Sequence, residues 1–245
     1  MAYVPDEEPS RLRITHLLAW TAATAVWLTV LQLMFAMTHR PRDIVLASVV
    51  IVAPIQGAWL TGLLLFLYRW QRGRGFARQP GDWLLVANGA AVAATLMNYL
   101  HSLAILAGWS RPHLTVLAGV APMALQIVFY AAAAFRLDEP RLWRRVFWLL
   151  AALAAFRLTC DLVGKVGLSF FRYSIALHNW LASLNHPLVW YLPAITAGGI
   201  VGSAAFVDWK TGLSRPWTHW AGVAAVVAWG AVSTVGLVAW IQGYG

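Results

Sequence analysis

Arg157, Asp161 and Lys165 stand four residues apart in the stretch FRLTCDLVGKVG, a spacing that stacks them on one face of a helix. A cation, a carboxylate and a second cation in a row can hold an anion, relay a proton, or lock into an ion pair that fixes how the helix faces its neighbours. Their surroundings are apolar: the 245-residue chain is 60% hydrophobic and 11% charged, against about 25% charged in a typical soluble domain. Each charge at the centre of a membrane helix costs about 2.5–3.5 kcal/mol, so the three need compensation. Asp161 can neutralise Arg157, although the cation-first order is the less favoured one, or share itself with Lys165. One positive charge is then left for carbonyls, water or Asp43, which is expected at the depth of Lys165. Two uses stay open, a structural ion pair and a polar site for an anion or proton.

The remaining polar side chains suggest helix fastening. Asn98 and His101 in MNYLHS, with Gln56 and Gln126 on neighbouring apolar runs, are expected to form an interhelical hydrogen-bond cluster. His39, His113, His178 and His186 fall near one surface, with His16 and His219 near the other. Two facing histidines could hold a haem and three could hold zinc. Histidines paired on one face of a core span, the arrangement that haem helices use, are lacking. No metal and no cofactor are therefore expected. The single cysteine, Cys160, excludes an intramolecular disulfide framework and any zinc site of several thiolates. G-x-S-x-G, H-E-x-x-H and a phosphate-binding glycine loop do not occur. The seventh apolar run has no lysine for a retinal Schiff base, and it offers only His219 where seven-span zinc hydrolases need a histidine and aspartate cluster.

The elements that position these residues follow from hydropathy. Crossing about 30 Å of hydrocarbon takes about 20 apolar residues, and seven stretches qualify: about 14–38, 44–68, 83–108, 114–135, 146–169, 187–207 and 217–241. The expected fold class is an all-α membrane protein, a single polytopic domain over 1–245. The first run is too long for a signal-peptide core of about 7–15 residues and is expected to remain as an anchor. With the N-terminus inside and the C-terminus outside, twelve Lys or Arg residues lie on the inner side and four on the outer, which satisfies the positive-inside rule. Phe170, Tyr173, Leu177, Trp180, Leu181 and Leu184 recur at helical spacing, so 170–186 is expected as an amphipathic interfacial helix.

Two further patterns concern how spans bend and pack. Pro54, Pro122 and Pro193 lie at similar distances before the inner boundaries of spans two, four and six, in VAPIQ, VAPMA and YLPAI. They are expected as kinks in three related hairpins that follow one leading helix. In AGGIVGSA, Gly198, Gly199 and Gly202 supply small residues at four-residue spacing, which lets backbones approach closely, with the Ala- and Gly-rich seventh span as partner.

The stretch RLRITHLLAWTAATAVWL resembles the N-terminal anchoring helix of membrane proteins from planctomycete-type bacteria. That resemblance implies a bacterial inner membrane and no particular activity. The net charge of +9 sits in short loops rather than on one soluble face, so lipid, and not nucleic acid, is the expected partner, with membrane-protein partners or further copies of the chain besides. The leading expectation is a non-enzymatic structural or accessory subunit of a membrane assembly. The alternatives are a small carrier or channel using Arg157, Asp161 and Lys165, and a membrane enzyme or haem protein using the outer histidines.

Overall fold

The computed structural model describes residues 14–38, 48–73, 79–106, 114–137, 141–170 and 187–244. Seven helices are long and apolar enough to cross a membrane, and the chain is a multi-pass helical membrane protein. They are α1 (Ile14–Thr38), α2 (Ala53–Gln71), α3 (Pro80–Leu106), α4 (Leu114–Arg136), α5 (Arg141–Phe170), α6 (Pro187–Lys210) and α7 (Trp217–Tyr244). The expected interfacial helix at 170–186 falls, apart from Phe170 at the end of α5, outside the described residues, as do Asp43, His39, His113, His178, His186 and the side chain of Lys165.

Local chemistry sets the helix ends. Pro80 and Pro187 open α3 and α6, where a missing N–H breaks no intrahelical bond. Gly73 and Gly212 take positive φ, 67° and 68°, the left-handed conformation that glycine adopts without a Cβ penalty. Around Gly212 the Leu213 amide donates to the Asp208 carbonyl at 3.2 Å and the Gly212 amide to Trp209 at 3.1 Å. These two bonds make a Schellman cap, which folds the chain back over the last turn of α6. Arg69, Arg136 and Lys210 occupy the last turns of α2, α4 and α6, where a cation complements the helix dipole. All three lie at the end of the bundle that carries the connections 72–79, 137–140 and 211–216, called here the short-loop end.

The packing order is mostly sequential. Neighbours along the chain pack side by side, and α7 returns against α3 and α2, so α3, α4, α5, α6 and α7 form a closed ring with its thinnest contact between α5 and α6. α3 is the hub, with 56% of its span buried against 17% for α1, which leans on α2 from outside. Lipid is as apolar as leucine, so tight backbone approach holds such helices together in place of a hydrophobic drive. Gly57 faces the Thr24 backbone across α1 and α2, Gly89 the Trp59 carbonyl across α2 and α3, and Gly81 and Gly222 face each other across α3 and α7.

Two sequence expectations need adjustment here. A Cβ on Gly198 would stand 3.1 Å from the Gly230 Cα on α7, so this glycine is in the close helix contact. Gly202 has only ordinary contact with Val227, and Gly199 has nothing within 4 Å, because adjacent helical positions differ by about 100° and cannot face the same neighbour. Pro122 and Pro193 lie inside α4 and α6. Pro54, in contrast, is the second residue of α2, directly after a π-helical turn at Ser48–Val52. Its ring nitrogen cannot donate to Val50, so it stands where π bonding gives way to α bonding rather than within a bent α-helix. Its carbonyl accepts from Trp20 Nε1 at 2.9 Å, tying α1 to this junction.

Candidate functional site

The densest polar group lies at the short-loop end. Asp208 Oδ2, on the last turns of α6, accepts from Trp143 Nε1 of α5 at 2.9 Å and from Arg215 Nε at 3.1 Å, with Arg215 Nη2 at 3.0 Å. Arg215 Nη1 donates to Gln79 Oε1 at 2.6 Å, just ahead of α3. The Schellman cap is what swings Arg215 back over Asp208, seven residues earlier. His219, in the first turn of α7, accepts the Gly81 amide on Nδ1 at 3.2 Å. That bond satisfies one of the amides that the first turn of α3 leaves without an intrahelical acceptor. It also fixes the tautomer, since an accepting Nδ1 leaves the proton on Nε2. Nε2 points toward Asp208 Oδ2 at 3.7 Å, longer than a hydrogen bond.

Asp and His so placed invite comparison with a general-base pair. Burial argues against that use. His219 is 0% exposed and Asp208 3%, and the imidazole is flanked edge-on by Trp143 and Trp220 at 5.4 and 5.2 Å. One ring nitrogen holds a backbone amide, and the ring presents no face to a substrate. The cluster fastens α3, α5, α6 and α7 at one level. The sequence reading missed it because its members lie up to 140 positions apart. The available signal was Asp208, a carboxylate closing an apolar run with an arginine just beyond.

A second polar layer sits one helix third deeper. Asn88 Oδ1 on α3 accepts from Gln126 Nε2 and from Tyr130 Oη of α4, both at 3.0 Å, while its Nδ2 donates to the Leu84 carbonyl at 2.8 Å. Gln126 is thus bonded to Asn88, not to Asn98 or His101, which lie about 15 Å or more further along α3 at 1.5 Å per residue. The Asn98 Oδ1 and the Gln56 Oε1, the latter on α2, are buried without a hydrogen-bond partner among the described residues. Gln126 thus belongs to a cluster centred on Asn88, a lone amide in WLLVANGAAVAA. Antiparallel α3 and α4 bring Gln126 to its level.

The charged face of α5 forms the third group. Counting from Trp143 at about 1.5 Å per residue, Arg157 lies about 21 Å from the short-loop end, close to mid-membrane. Its Cζ sits 5.1 Å from the centroid of the Trp190 ring on α6. The guanidinium is in electrostatic range of the Tyr130 hydroxyl and of Asp161, but it makes no hydrogen bond or ion pair with another described residue, and its Nε is buried. The expected Arg157–Asp161 pair is thus a turn apart on α5 without closing to an ion pair. Helical side chains lean toward the N-terminus, so the long Arg157 chain carries its charge away from Asp161. Asp161 is 3% exposed. Arg157, Cys160, Asp161, Val189 and Trp190 border a crevice between α5 and α6 that is too tight in this conformation for a water molecule. A cation–π contact contributes about 0.5–2 kcal/mol, which offsets only part of the 2.5–3.5 kcal/mol or so that a central cation costs.

His16 of α1 lies against the Trp217 ring of α7 at 5.1 Å, and among the described residues no three His, Cys, Asp or Glu side chains gather as a metal site. Comparison with protein-family models, with curated proteins and with solved structures finds no match to this chain.

Proposed function

We propose that this protein is a structural or accessory subunit of a membrane assembly, seated as one polytopic unit in a bacterial inner membrane with the short-loop end in the cytoplasm. The observation that carries this reading is a groove along the outer face of α6 and α7, lined by Gly199, Gly202, Ser203, Val227 and Ala231 among others. Close contact inside the bundle uses Gly198 and Gly230, so the small residues one step round α6 are left for a helix outside it. Small side chains there let a second backbone approach, and Ser203, whose hydroxyl now donates to the Gly199 carbonyl at 2.8 Å, can turn across the contact. The polar layers around Asp208 and Asn88 support the same reading, since their groups are bonded to one another across helices and hold a rigid frame.

Extraction in a mild detergent followed by affinity capture of the full chain tests it. A reproducible partner, or a second copy of the chain, is expected at fixed stoichiometry and is expected to be lost with Ser203→Leu, an exposed position. A single-chain mass with no co-purifying protein, unchanged by Ser203→Leu, overturns the reading.

A further inference from the structure

We propose that Arg157 anchors a carboxylate-binding site inside the membrane, entered between α5 and α6. The reading is independent of the assembly role above. Among the described residues the guanidinium has a stacking partner in Trp190 but no hydrogen-bond acceptor and no ion pair. Guanidinium is charged at every accessible pH and presents five N–H donors in a fork that matches two oxygens. A fork held near mid-bilayer with one face on an indole is arranged for a planar two-oxygen anion on its free edge.

Charge and space narrow the ligand class. The formal charges of Arg157, Asp161 and Lys165 on α5 sum to one positive, which a single negative charge neutralises and a dianion overshoots. The buried Asp161 that borders the same crevice disfavours a dianion more than a monoanion. The crevice is closed even to water in this conformation, so a ligand head enters only where Trp190 swings aside, which favours a small planar carboxylate over a sugar or a nucleotide. The α5–α6 contact is the thinnest in the ring among the described residues, and Trp190 beside it is 37% exposed. A carboxylate on an alkyl chain can enter there from the bilayer with its tail left in lipid. A small water-borne carboxylate has to come along the bundle axis from the end opposite the short loops. Both sources offer the same chemistry to Arg157.

The test uses the full chain in zwitterionic nanodiscs and a photoreactive fatty acid with its diazirine near the carboxyl group. Mapped cross-links are expected in α5 around 157–161 or in α6 around 189–190, and excess oleate is expected to abolish them. Methyl oleate, equally apolar but neutral, is expected to compete at least tenfold less well. If benzoate also competes, the site is open to water-borne carboxylates; if only oleate does, the ligand comes from the bilayer. Arg157→Gln is expected to reduce labelling tenfold or more, while Arg157→Lys keeps part of it. Labelling elsewhere, labelling that nothing displaces, or equal competition by methyl oleate overturns the proposal. The mapping and competition are read on the unaltered protein, so they decide the matter even if a variant does not fold.

Discussion

Asp208 shows how differently two charges can weigh in a protein with so few. It accepts from Trp143 and Arg215 while 3% exposed, whereas Lys210, two residues on, is exposed at the end of α6. Removing one partner of a buried ion pair costs about 3–5 kcal/mol, because the other charge keeps its burial without its counter-charge. Asp208→Ala is therefore expected to lower the midpoint of thermal unfolding in detergent by many degrees. Lys210→Ala is expected to stay within about 0.5 kcal/mol of the parent, and Trp143→Phe, which removes a single donor to Asp208, to fall between at about 1–3 kcal/mol. Tryptophan fluorescence during heating reads all three, and equal losses for Asp208→Ala and Lys210→Ala would remove the clamp from the account. At this scale the sequence was least legible. Arg157 and Asp161 announce themselves by spacing, since i and i+4 are local, whereas Asp208, Trp143, Gln79 and His219 meet only once four helices have packed. Asn88 was hidden for another reason: one amide in an apolar run gives no period and reveals its use only when Gln126 and Tyr130 arrive from α4.

Among elements, the crossing of α3 with α7 rests on glycines. A Cβ on Gly81 would run into the backbone of His219, and one on Gly222 into the carbonyl of Gly81. Backbone cannot yield as a flexible side chain can, so Gly81→Ala and Gly222→Ala force the two helices apart. They are each expected to cost about 1–3 kcal/mol through overpacking, and Gly81→Ala also strains the amide bond to His219 Nδ1. Gly199 has open space around it, so Gly199→Ala is expected to gain up to about 1 kcal/mol from helix propensity alone. Opposite shifts in melting temperature for Gly81→Ala and Gly199→Ala check this. Equal shifts would mean that the α3–α7 contact relaxes freely. The helices themselves were legible, because apolar length is a one-dimensional signal: α1 and α4 begin and end within a residue or so of the expected 14–38 and 114–135. The boundaries of α2 and α3 moved because the deciding features are caps. Pro80 starts α3 three residues before its apolar run, and the π turn at Ser48–Val52 delays the α-helical part of α2 to Ala53, just before Pro54. Which glycine of AGGIVGSA faces a partner was not legible either, since the spacing holds for both Gly198 and Gly199 and only the register of α6 on α7 separates them.

For the molecule as a whole, charge distribution and helix chemistry point the same way. The three helices that end at the short-loop end each place Arg or Lys in the last turn, where the dipole favours a cation. The connections at that end add Arg72 and Arg215, and the first turns of α5 add Arg141, Arg144 and Arg145. Translocating such short, basic connections is disfavoured, and retaining them in the cytoplasm is the positive-inside rule. Each requirement favours basic residues independently, and this is the ground for proposing that this end faces the cytoplasm. Orientation is testable with the chain's single cysteine, buried Cys160, replaced by alanine. Gln71→Cys and Ser214→Cys, at exposed short-loop positions, are expected to resist a membrane-impermeant maleimide in intact spheroplasts and to react fully once the membrane is opened. Labelling of both in intact spheroplasts would invert the topology and place the Asp208 clamp outside. Arg157 would then stand at the same mid-membrane depth, because about 21 Å along α5 from Trp143 is near the centre of the bilayer whichever end faces the cytoplasm. The direction from which a water-borne carboxylate reaches it would be reversed, while entry from the bilayer between α5 and α6 would be unchanged.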